Sequence, residues 1–162
     1  MTMMTPVINA PHTVGAALLV MHEGWIRQAT AALVPATDLP SDAWRRWGAA
    51  SVLGDQFGDR FRLEYGFADA LEGLVTPRFV ASLAAARMDI ERTREALMAA
   101  ARRRDTPVAA AVLGHQLVKG IARWCVELEF ATDHVSPADL PAAASRLLAD
   151  LTAADAPWLQ PE

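Results

Sequence analysis

A single cysteine, Cys125, stands in the sequence, which excludes an internal disulfide and leaves stability to the core. Positive charge is also short: the formal net charge is −4, against the basic excess or basic stripe of a nucleic-acid binder. Lysine is almost missing, with Lys119 alone among fourteen arginines. The one compact basic cluster, Arg102-Arg103-Arg104, falls at an expected helix C-terminus, where cations oppose the macrodipole. It is read as a helix end and not as a phosphate patch. Long apolar runs are lacking too: Val14 to Met21 is too short to span a bilayer, so no membrane partner is expected. Residues Met1 to Ala10 show neither a positive n-region nor an apolar h-region, which makes a cytoplasmic location the expectation.

Templates of chemistry are equally scarce. There is no glycine-rich phosphate loop, no G-x-S-x-G and no zinc-ligand spacing. No Glu-x-x-His pair of the kind used by helical di-metal bundles occurs either, so His22, Glu64, His115, Glu129, Asp133 and His134 could converge only through tertiary packing. Catalysis is therefore not expected, no metal is expected, and no cofactor is legible. Hairpin signals are absent: no Asn-Gly or Asp-Gly turn and no sustained apolar–polar alternation. With 52% hydrophobic and 21% charged residues, the chain has the material for an ordinary packed core, which argues against disorder.

What is present is helical periodicity with clear punctuation. Thr76-Pro77, Thr106-Pro107 and Ser136-Pro137 each put a capping hydroxyl before a proline at the first helical position, where its missing N–H costs nothing. These pairs lie thirty residues apart, but residues 76–105 and 106–135 agree at only five positions, so equal helix lengths explain the spacing better than a repeat. The helix from Pro77 carries Phe79, Leu83, Ala86, Ile90, Leu97 and Ala100 on one face, with Arg87, Glu91, Arg92 and Glu95 read as a solvated face. That from Pro107 has the seam Ala110, Leu113, Leu117, Ile121, Trp124 and Leu128. A last helix, from Pro137, aligns Leu140, Ala144, Leu147, Leu148 and Leu151. Upstream, a helix over 13–34 buries Val14, Leu18, Met21, Trp25, Ala29 and Ala32; a short helix is expected over 41–53 and another over 57–74. The expected fold is all-α, a single-domain bundle of five to six amphipathic helices over 1–162, with 1–11 and 155–162 as loosely ordered tails.

Some residues do not fit a plain bundle. Glu64 shares a helical face with Phe57, Phe61, Phe67 and Leu71, so its carboxylate turns inward, which is costly unless paired. Arg60 one turn earlier is the nearest partner, with Arg45 or Arg46 as others; a ligand-holding or catalytic carboxylate is the functional alternative. His22 sits at the edge of the apolar stripe between Leu19 and Ile26, either as a packing residue or as a ligand-binding partner of Glu64. Cys125, beside Trp124, reads as a small buried hydrophobe. A second stripe on the Pro107 helix, Val108, Val112, His115, Lys119, Ala122, Val126 and Glu129, lies away from the core seam and is largely apolar. Such a helix is either central or meets a partner with its second face.

The string His115-Gln116-Leu117-Val118-Lys119-Gly120, preceded by the arginine cluster and Asp105, resembles histidine-phosphotransfer domains. Those domains carry a surface histidine, then lysine and glycine, on the second helix of a four-helix bundle; here one extra residue separates leucine from lysine. The resemblance implies His115 as phosphoacceptor with Lys119 steadying the phosphate. Three functions are thus expected in order. The first is a helical protein-interaction or adaptor module, docking a protein partner or itself through Val108, Val112, His115, Lys119 and Val126. The second is a phosphotransfer protein using His115 and Lys119. The third is a small-molecule or metal-binding helical protein, or an enzyme, with its site near His22 and Glu64.

Overall fold

The computed structural model describes residues 12–33, 55–103 and 107–153. The expected short helix over 41–53, the tails, Arg45, Arg46 and the side chains of Ala32, Phe57, Val108 and Ala110 lie outside the described residues. Five α-helices, and no strand among the described residues, make an all-α bundle: α1 (Val14–Leu33), α2 (Asp55–Ala70), α3 (Pro77–Arg103), α4 (Pro107–Ala131) and α5 (Ala142–Thr152). None is long and apolar enough to cross a membrane.

α4 is the central element. It packs along α3 on one side and α1 on the other, while α5 lies on α2. Its seam residues Leu117, Ile121, Trp124 and Leu128 are buried, opposite Leu83, Ala86, Ile90 and Leu97 of α3 and Val14, Leu18, Trp25 and Ala29 of α1. Where α1 begins, its orphan amides are satisfied by the turn that follows α4: Val14 N–H donates to the Val135 carbonyl (2.9 Å) and Gly15 N–H to that of Thr132 (3.0 Å). Thr13 caps the same turn, its hydroxyl accepting from Ala16 N–H at 3.1 Å. Gly15 permits this approach, because a Cβ there would lie 2.6 Å from the Glu129 carbonyl oxygen and 2.8 Å from Asp133 Cα.

The last helix departs from the sequence reading. Pro137 opens only a 3-10 turn (Pro137–Asp139), in which Ser136 caps Ala138 N–H, and α5 starts at Ala142. The reason is Pro141: it has no N–H to give the Pro137 carbonyl, and it drives Leu140 into extended backbone (φ −71°, ψ 139°). The charged face expected on α3 is also only half solvated. Arg92 and Glu95 are exposed, but the Arg87 guanidinium lies over the Tyr65 ring at 4.2 Å, and Tyr65 donates to Glu91 at 2.7 Å.

The α1–α4 contact yields a paired prediction. Gly15→Ala must push backbone from backbone and should destabilise by about 1–3 kcal/mol in urea unfolding. Gly24→Ala, whose nearest neighbour would be the flexible end of Arg27 at 4.0 Å, should be neutral or stabilise by up to ~1 kcal/mol.

Candidate functional site

Two turns into α1 from the Gly15 contact, His22 is carried into the interior between α2 and α4 and is 1% exposed. Residues four apart share a helix face, so Arg60 and Glu64 arrive together from α2, and Cys125 and Glu129 from α4. His22 Nε2 lies 3.1 Å from both carboxylate oxygens of Glu64, and Nδ1 lies 2.7 Å from Glu129 Oε2. Successive contacts, His22 with Glu64 and Trp25 with Phe61, run in opposite senses along α1 and α2, which places these helices antiparallel.

Glu64 has no exposed surface, and its partners explain how a carboxylate is held there. Arg60 Nη2 forms an ion pair with Oε2 at 2.8 Å, and the Trp124 indole N–H donates to Oε1 at 3.1 Å. Burial alone would raise its pKa, but the charges of His22 and Arg60 and the hydrogen bonds from His22 and Trp124 win, holding it at about 2. His22 obeys the same balance with the opposite sign. Burial opposes its charge, yet Glu64, together with hydrogen bonds to Cys125, Glu129 and Glu64, raises its pKa well above 6.5. The Cys125 thiol is pushed up to about 11 by burial.

An aromatic row continues from this cluster. Trp25, Phe61, Tyr65 and Trp124 meet at centroid distances of 5.7, 6.1 and 5.2 Å. Arginines cover its faces, Arg60 over Trp25 at 4.6 Å and Arg94 over Phe61 at 4.4 Å. Trp124 reaches a cleft of about 630 Å³ between the end of α2, the turn after it and α3. Leu71, Val75, Leu83, Met88 and Trp124 supply its apolar wall, and Asp69, Glu72, Arg87 and Glu91 its polar groups.

The structure therefore brings His22 and Glu64 together. His115 and Lys119 lie elsewhere, exposed one turn apart on the outer face of α4 with Val112 and Val126 (52% and 46% exposed). Ile121 and Trp124 turn inward, leaving that face unobstructed by them. Of the neighbours of His22 on α4, Glu129 is readable in the sequence only as a carboxylate that tertiary packing could bring to His22, and Cys125 is read there as core; nothing local says that His22 is brought against them. No protein-family model, curated protein or solved structure matches this chain.

Removing the carboxylate tests the cluster. Glu64→Gln leaves Arg60 and His22 facing a neutral amide and should cost roughly 3–5 kcal/mol. A carboxylate whose folded pKa is below its ordinary 4.5 stabilises above that pH and loses its contribution as pH falls toward about 2. Denaturant midpoints across that window should drop steeply for the wild type and less for Glu64→Gln.

Proposed function

We propose that the protein is a small-molecule-binding helical bundle, with the cleft between α2 and α3 as its site. The observation that supports this reading is the cleft's reach to Trp124, a core residue whose indole N–H is tied to buried Glu64. Its volume of about 630 Å³ falls among those of small-molecule sites, roughly 300–1,000 Å³, with apolar walls and few polar groups. Of the three carboxylates in its lining, Asp69 lies 3.5 Å from the Arg87 guanidinium and Glu91 pairs with Arg94 at 2.9 Å, which leaves Glu72 to meet a cation. The ligand this suits is compact, mainly apolar and cationic.

Octylamine, octanol and octanoate serve as probes. Octylamine should bind saturably, shift the Trp124 indole N–H resonance and bind better than octanoate. Ala84→Trp, which fills the cleft from its exposed rim, should weaken binding at least ~10-fold, since the bulkier side chain denies the ligand its apolar wall. No saturable binding, or binding unchanged in Ala84→Trp, contradicts the reading; preference for octanoate contradicts its cationic part.

A second reading rests on a different observation, the exposure of Val112, Val126 and Phe130 (59%) on α4 beside His115 and Lys119. Apolar side chains aligned on one outer face suit a protein partner or a second copy. Light scattering over a range of concentrations should then show self-association that Val126→Glu abolishes. A monomer at every concentration, unaffected by Val126→Glu, removes the self-associating form.

A further inference from the structure

We propose that His22, Cys125 and Glu129 form a site for one divalent transition-metal ion, with zinc the best match to the donors. This goes beyond the cleft reading and stands independently of it.

The donor set is one imidazole nitrogen, one sulfur and one carboxylate oxygen, the mixed borderline set that zinc accepts. One ligand atom from each residue lies within 4.8 Å of the other two. Ligands of a tetrahedral zinc ion, at bond lengths of 2.0–2.3 Å, stand about 3.3–3.8 Å apart, so the Nδ1–Glu129 pair at 2.7 Å opens slightly while any wider spacing in the set closes. Three protein ligands leave the fourth position to solvent or to a bound molecule. Cys125 and Glu129 are one turn apart on α4, and the Gly15 contact holds α1 close enough for His22 to face them.

The imidazole is also prepared as a ligand. A metal-binding histidine usually gives its other ring N–H to a carboxylate, which fixes tautomer and orientation. Glu64 has that role here, engaged with Nε2 while Nδ1 faces Glu129. Glu64 itself is not in the ligand set, because Arg60 and the Trp124 indole already occupy its oxygens. Glu129, 17% exposed against 1% for His22, stands at the solvent edge of the set.

Charge bookkeeping permits the exchange without an uncompensated buried charge. Imidazolium, guanidinium and two carboxylates sum to zero. A divalent ion that displaces the Cys125 thiol proton and the His22 Nδ1 proton to solvent leaves the sum at zero, with thiolate–metal and imidazole–metal bonds in place of S–H and N–H.

Cobalt(II) is the direct probe, added to full-length protein after dialysis against a chelator. One equivalent should produce intense visible absorption and a near-ultraviolet thiolate-to-cobalt band, and one equivalent of zinc should erase both. Cys125→Ala should lose the band while keeping its helical circular dichroism. Glu64→Gln should bind about 10–100-fold more weakly, and the surface variant His115→Gln should bind as the wild type does. Zinc should also slow alkylation of Cys125, the only thiol of the chain, which tests the site without any substitution. Absence of the band in folded wild type, its survival in Cys125→Ala, or alkylation indifferent to zinc overturns the proposal.

Discussion

Holding one carboxylate in the dry centre of a helical bundle constrains much of this structure. Glu64 is wholly buried, and an unpaired charge there would cost far more than the few kcal/mol by which a domain is stable. It must be met by Arg60 from its own helix, by His22 from α1 and by Trp124 from α4. Each partner is itself placed by a helix pairing, so the register of three helices is tied to a single side chain. Sliding α1 by one turn would remove His22 from Glu64 and Glu129 at once. A hydrophobic residue at position 64 would tolerate such a slide; a carboxylate does not.

The same constraint shapes the two regions around it. On one side the imidazole, clamped between two carboxylates, lies beside Cys125 at the α1–α4 seam. On the other, the indole that donates to Glu64 reaches the cleft, whose Arg87 and Glu91 are tied to Tyr65 of α2. A ligand leaning on Trp124 would therefore touch a side chain whose hydrogen bond is part of the buried cluster. Cleft and cluster are distinct places that share one residue.

Much of the fold was legible because helical period and capping are local. The buried faces of α1, α3 and α4 follow from step counting, and Thr-Pro pairs mark α3 and α4. Pro137 misled because its start signal was read without Pro141, whose ring forbids the next turn. Glu64 and His22 were legible as misfits, since a charge on an apolar face announces itself. Cys125 was not, because it reads as small core filler, and Glu129, at the end of an outer stripe, was readable only as a carboxylate that tertiary packing could carry to His22. Their meeting with His22 depends on how closely α1 approaches α4, and that is set by Gly15 through a tertiary contact the sequence does not display. Arg87 and Glu91 keep much of the solvent exposure expected of them, but their contacts with Tyr65 were not legible, since only the tertiary fold places that ring beside them.

The central claim is that Glu64 and Glu129 grip His22 from both sides as a charged imidazolium in the metal-free protein. Long-range nitrogen–proton correlation spectra of the imidazole, recorded through a pH series in the presence of chelator, test it most directly. The account predicts that both His22 nitrogens carry protons at neutral pH and keep them well above the ordinary 6.5. A neutral ring at pH 7, with one bare nitrogen and an unshifted titration, would contradict it.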